Sequence, residues 1–235
     1  NHNHISMKNI GFQIRYKNFT AGYGNWNFWW GPGTHNSLVM TNNSAGFYHL
    51  FFGTDQYQEV FDNLKIKVKV INSSPMSNFN GIDYFLSAWY IDLKYKNLYL
   101  GSSRNILSGG NNDIEWSFYD ALQSIATKEN LRYWDEIYDY YISFYDIKSG
   151  TKIYFEYGYP NRSLGNNSSI DYYDHANGTI LGILKYGLFD NKDLLGGFEV
   201  TRLLQGSYYY KIPTPNWYDN IKYNYSSYNG RRWAA

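Results

Sequence analysis

Cysteine is absent from the 235 residues, which excludes disulfides and thiolate metal sites. Charge is scarce as well. Asp, Glu, Lys and Arg make up 17% of the chain and the formal net charge is +1, so nothing in the composition draws it to nucleic acid or to an anionic surface. Proline occurs only five times, and no sequence repeat of fixed period is present. No apolar run nears the roughly 18–20 residues of a helical membrane span. These absences predict a chain that does not insert into a membrane. The sequence opens Asn1-His2-Asn3-His4 rather than with Met; residues 1–9 read as a processed N-terminus or tag remnant, and 10–235 as a single domain.

Aromatic residues are what the chain has in abundance: 21% of the total, with 27 Tyr and 8 Trp. The densest stretch, Ile137–Tyr159, places two aromatic and β-branched runs on either side of Lys148-Ser149-Gly150, the signature of a β-hairpin. In its second arm Ile153, Phe155 and Tyr157 alternate with Tyr154 and Glu156, giving one apolar and one amphipathic face. The same period-2 pattern predicts strands at Ile10–Tyr16, Phe47–Gly53 and Leu64–Val70. Tyr84–Leu100 is read as one long strand or a hairpin turning near Lys96-Asn97. Further strands are expected at Thr179–Phe189, Gly197–Leu204, Ser207–Ile212 and Trp217–Tyr225. Ser102–Asn112 and Asn161–Gly178, rich in Gly, Ser and Asn, read as loops. Ser117–Ala126, with Phe118, Leu122 and Ile125 at helical spacing and Ser117 as N-cap, is the best helix candidate.

About ten short strands with at most one or two short helices predict an all-β fold, two antiparallel sheets packed as a sandwich. The closing stretch Asn216-Trp-Tyr-Asp-Asn-Ile-Lys-Tyr-Asn-Tyr225 resembles the final strand of concanavalin A-like jelly rolls, and that resemblance implies a jelly-roll sandwich.

Sequons of the Asn-x-Ser/Thr type begin at Asn18, Asn42, Asn72, Asn161, Asn166, Asn167, Asn177 and Asn224, about twice the number expected by chance, and point to a glycosylated secreted or surface protein. Trp26, Trp29 and Trp30 sit within a Gly-bounded stretch. They read either as core-filling indoles of a strand or as a flat platform for sugar rings. Asp171 with Asp174, or Asp190 with Asp193, have the oxygen chemistry of a Ca2+ site but read as solvated loop acids, so no metal or cofactor is expected. Asn112-Asp113-Ile114-Glu115 and the later strand residue Glu199 resemble the placing of catalytic residues in family 12 glycoside hydrolases; the resemblance implies a retaining carboxylate pair.

Together these features predict a secreted, cell-envelope or virion surface β-sandwich acting as a structural or glycan-binding subunit, with glycans or identical subunits as partners. The composition resembles that of extracellular and viral proteins of hot, acidic archaeal habitats. The alternative is a retaining endo-β-glycosidase using Glu115 and Glu199.

Overall fold

The computed structural model describes residues 9–42, 46–77, 83–109, 134–161 and 177–204, together with 227–228 and 231–232. Twelve of its strands form one antiparallel sheet: β1 (Gly11–Tyr16), β2 (Phe19–Gly24), β3 (His49–Thr54), β4 (Gln58–Phe61), β5 (Leu64–Ser73), β6 (Met76–Ser77), β7 (Asp83–Tyr95), β8 (Leu98–Gly109), β9 (Trp134–Asp146), β10 (Thr151–Asn161), β11 (Asn177–Tyr186) and β12 (Leu195–Leu204). A separate ribbon pairs β13 (Ser227–Tyr228) with β14 (Arg231–Arg232). The only helical turn among the described residues is a 3-10 turn at Leu188–Asp190.

The all-β antiparallel class is therefore as expected. Strand order is β1-β2-β3-β5-β7-β8-β9-β10-β11-β12, with β4 and β6 extending the pairing of β5 and β7. This is a meander, with no Greek-key crossover among the described strands. The continuous sheet is compatible with a sandwich in which its ends lie over one another.

Local chemistry fixes the hairpins. Lys17, Asn63 and Lys96 take positive φ in the tight β1–β2, β4–β5 and β7–β8 turns, and Gly150, at φ 67°, closes β9–β10. The Ile137–Tyr159 hairpin forms as its pattern predicts, with Ile153 opposite Phe144 and Tyr157 opposite Tyr140. The Tyr84–Leu100 stretch turns at Lys96-Asn97. One expectation fails: residues 102–109 are not a loop but continue β8. Ser103 and Asn105 find partners on neighbouring elements. Ser103 donates its backbone N–H to Asp139 Oδ1 at 2.7 Å, and Asn105 donates to the Val39 carbonyl at 2.8 Å. The helix candidate Ser117–Ala126, the strand candidates Ser207–Ile212 and Trp217–Tyr225, and residues 162–176 of the predicted loop lie outside the described residues.

Because the strands run as a meander, the tight turns 17–18, 62–63, 96–97 and 147–150, and the eight-residue connection 187–194, fall at one end of the sheet. At the other end, that of the long connections, β2, β5, β8 and β10 finish and β3, β7, β9 and β11 begin. Residues 25–48 fold back over one face, called inner here. Trp30, Leu38, Val39 and Met40 from this segment form a buried core with Ile71, Leu86, Ala88, Tyr154, Ile180 and Leu184. Among the described residues no helix is long and apolar enough to cross a membrane, a criterion that does not test strands.

Candidate functional site

Pairing registers sort every strand residue to one face or the other. Two successive rows of the outer face read Ile66, Leu93, Leu100, Ile142, Phe155, Leu181, Val200 and Leu64, Tyr95, Leu98, Phe144, Ile153, Ile183, Phe198. Neither row contains a charge. Much of this surface is open to its surroundings: Phe198 is 65% exposed, Leu181 55% and Phe144 48%. Phe12, Ile14, Leu50 and Phe52 continue it across β1 and β3. Toward the tight turns the row becomes polar, with Asp146, Thr151 and Lys185. Toward the long connections it becomes aromatic. Tyr138 stacks on Tyr159 at 5.5 Å, Tyr140 and Tyr157 adjoin them, and Arg104 lies 4.9 Å above the Tyr138 ring. Farther that way, Phe85 and Ile106 on the same face are buried.

Behind these two rows the inner face has the opposite chemistry. One row runs Lys67, Asp92, Gly101, Tyr141, Glu156, Ile180, Thr201, and the next Lys65, Lys94, Tyr99, Ser143, Tyr154, Gly182, Glu199. Glycine is required at two of these positions: a Cβ at Gly101 would lie 2.0 Å from the Tyr141 ring, and one at Gly182 2.1 Å from that of Tyr154.

Carboxylates on this face hold the 25–48 segment in place. Glu199 accepts the backbone N–H of Thr34 at 2.7 Å, His35 at 3.2 Å and Asn36 at 3.0 Å, and the Tyr154 hydroxyl at 2.5 Å. Glu156, fully buried, accepts the Leu38 N–H at 2.9 Å. Asp139, also fully buried, lies against Glu156. Each has one oxygen lacking a donor among the described residues; burial raises the pKa of both, and the neighbouring Asp139 raises that of Glu156 further. Lys152 adds a bond from Nζ to the Pro32 carbonyl at 2.7 Å.

Between this segment and the strands lies a cavity of about 360 Å³, walled by Gly31, Pro32, Tyr57, Tyr90, Tyr99, Tyr141, Ser143, Tyr145, Lys152 and Tyr186, with Asp92 among its lining. Asp92 Oδ2 accepts the hydroxyls of Tyr57 at 2.5 Å and Tyr90 at 2.9 Å, and the Tyr141 hydroxyl donates to that of Tyr90 at 3.2 Å. Asp92 Oδ1 has no donor among the described residues. Burial, reinforced by the Asp92 bond, raises the Tyr57 pKa far above the ordinary phenol value, so Tyr57 remains a donor.

The structure separates the residues singled out from sequence. Trp30 is 3% exposed and stacks on Tyr90 at 5.7 Å; Trp26 packs edge-on against Phe51; Trp29 donates to the Gly33 carbonyl. They do not make one flat platform. Glu199 is engaged with loop amides, while Glu115 lies outside the described residues. Asn18 and Asn42 are exposed and Asn177 is half-buried. Asn72 is 2% exposed and accepts the Ser87 hydroxyl, so it is not presented to a glycan-transferring enzyme. Asn161 ends β10; Asn166, Asn167 and Asn224 lie outside the described residues, as do Asp171 and Asp174. Asp193 is exposed beside the 3-10 turn that ends at Asp190. No group of three or more metal-ligating side chains occurs among the described residues.

The tyrosine cavity was not foreseen. Its residues come from five strands and two connections, and the available signal was Tyr at alternate positions opposite Asp92 and Gly101. No protein-family model, curated protein or solved structure matches the chain, so neither the concanavalin A-like nor the family 12 resemblance gains a relative.

Proposed function

We propose that the sheet is the wall of a transmembrane β-barrel of the outer-membrane type, with residues 25–48 folded into its lumen. The observation that carries this reading is the alternation over the central rows of β5–β12, apolar and open outward, mostly polar inward, on strands of a continuous meander; toward the long connections the inner face passes into the apolar core of Ile71, Leu86, Ala88 and Leu107. A lipid-facing barrel needs this pattern because hydrocarbon solvates the outer side chains and strand pairing satisfies every backbone group. Strands β7–β12 contain 10–13 residues, which at a tilt of about 45° span roughly the hydrocarbon thickness. The Tyr138–Tyr140–Tyr157–Tyr159 cluster lies where an interfacial aromatic girdle belongs. Tight turns at one end and long connections at the other match such barrels. This replaces the expectation of a chain without membrane insertion and keeps that of a cell-envelope location.

The absence of cysteine makes the test direct. Single cysteines at residues 180, 181, 183 and 184 of β11 are spin-labelled in protein reconstituted into lipid vesicles. Labels at 181 and 183 should collide with dissolved oxygen and those at 180 and 184 should not. A monomer stable in detergent-free buffer, with labels at 181 and 183 open to a water-soluble relaxant, would overturn the reading.

The cavity supports glycan binding as the lumenal role. Tyrosine rings stack on pyranose faces while the phenols, Ser143 and Asp92 supply hydrogen bonds to hydroxyls. Titration with a panel of neutral oligosaccharides should give binding that Tyr99→Ala and Asp92→Asn each weaken; an unaffected affinity in both variants would exclude the cavity.

A further inference from the structure

We propose that Lys67 and Lys94 form an anion-binding site beside the tyrosine cavity, which takes the carboxylate, phosphate or sulfate group of a ligand whose ring occupies the cavity. The proposal rests on the cavity being a binding site and is independent of the lipid reading.

Lys67 and Lys94 share the inner face on neighbouring strands, and both ammonium groups lie against one ring. Lys67 Nζ is 6.0 Å and Lys94 Nζ 5.7 Å from the Tyr57 centroid, and Lys94 is also 5.0 Å from that of Tyr99. Both rings are cavity walls. Register makes the crowding of positive charge worse, because Lys94 stands directly opposite Lys65, a like-charge cross-strand pair that is unfavourable by itself. Lys65 has Glu59 at 3.9 Å, but no ion pair involves Lys67 or Lys94 among the described residues.

Asp92 makes no ion pair with Lys67 or Lys94. Asp92 pairs across the strands with Lys67, yet its Oδ2 already takes two phenol protons, and no hydrogen bond or ion pair joins its carboxylate to either lysine. Lys152 brings a third ammonium to the cavity wall, with one of its protons committed to Pro32. Half-buried cations that rest only on aromatic faces keep unused donors in a space of reduced dielectric. An oxyanion entering there gains charge-assisted hydrogen bonds without first breaking an ion pair.

The test titrates detergent-solubilised protein, at matched ionic strength, with 4-nitrophenyl phosphate, 4-nitrophenyl sulfate and 4-nitrobenzoate. The neutral controls are 4-nitrobenzamide and a neutral oligosaccharide, and calorimetry is the readout. Wild type should bind the anions roughly tenfold more tightly than 4-nitrobenzamide. Lys94→Gln and Lys67→Gln should each erase most of that preference and leave the neutral affinity unchanged. Unaltered circular dichroism in both variants establishes that the fold is kept. Binding of neutral ligands with no anion preference, or a preference that survives both substitutions, would overturn the anion site and leave the cavity reading intact. No binding of any probe would overturn both.

Discussion

Along β10, Ile153, Phe155 and Tyr157 point outward and are 38–46% exposed, whereas Tyr154 and Glu156, the residues between them, are 1% and 0% exposed. Over the central rows the outer face has apolar side chains and little cover. The inner face there has carboxylates, lysines and tyrosines, and passes toward the long connections into the apolar core beneath Trp30, Leu38 and Met40. A β protein in water places the chemistries of the central rows the other way round. The difference teaches that burial and polarity are separate variables: polar groups are drawn inside here, and the surroundings meet the apolar surface.

The largest expected effect comes from charging the outer face. Leu181→Arg and Ile142→Arg should each cost about 2–4 kcal/mol if the side chains face hydrocarbon. The double variant should then fail to reach the folded, heat-modifiable form in lipid vesicles. Were that face in water, either change would stay within about 0.5 kcal/mol, and normal folding of the double variant would break the comparison.

Next is the inner anchor. Glu199→Ala removes the carboxylate that accepts three loop amides and leaves the Tyr154 hydroxyl with only Thr34 Oγ1 at 3.4 Å, and should lower stability by about 1–3 kcal/mol. Hydrogen exchange at Thr34, His35 and Asn36 should accelerate while the outer strands stay protected. Unchanged exchange there would mean that the carboxylate does not hold the loop. Gly182→Ala should cost about 1–3 kcal/mol by driving a methyl group into the Tyr154 ring, seen as a lower denaturation midpoint. Smallest is Lys185→Gln, in the polar outer row beside the tight turns, where a change below about 0.5 kcal/mol is expected in the same melt.

Much of the strand pattern was legible. Gly150 and Lys96-Asn97 announced their hairpins because turn chemistry is local. Residues 102–109 were misread because a strand whose inward positions are Ser103 and Asn105 resembles a loop until Asp139 and Val39 are placed across from them. Period-2 alternation also says that a strand has two faces without saying which of them is covered. Ile153, Phe155 and Tyr157 read the same whether a core or a lipid bilayer receives them. A search for long apolar runs cannot detect strands in which every second residue is polar. The cavity was illegible for another reason: Tyr57, Asp92, Tyr141 and Tyr186 meet only through strand order. Trp30 was visible as an aromatic, but its place against Tyr90 depends on how residues 25–48 fold back.

The tether at Glu199 also makes one contact depend on the far end of the wall. Thr34 and Glu199 are separated by 165 positions, and a contact of that sequence separation carries a large loop-closure cost. Other anchors of the segment, Leu38 on Glu156 and Pro32 on Lys152, lie on β10. A chain truncated after β11 should therefore keep those two anchors and lose the acceptor of residues 34–36.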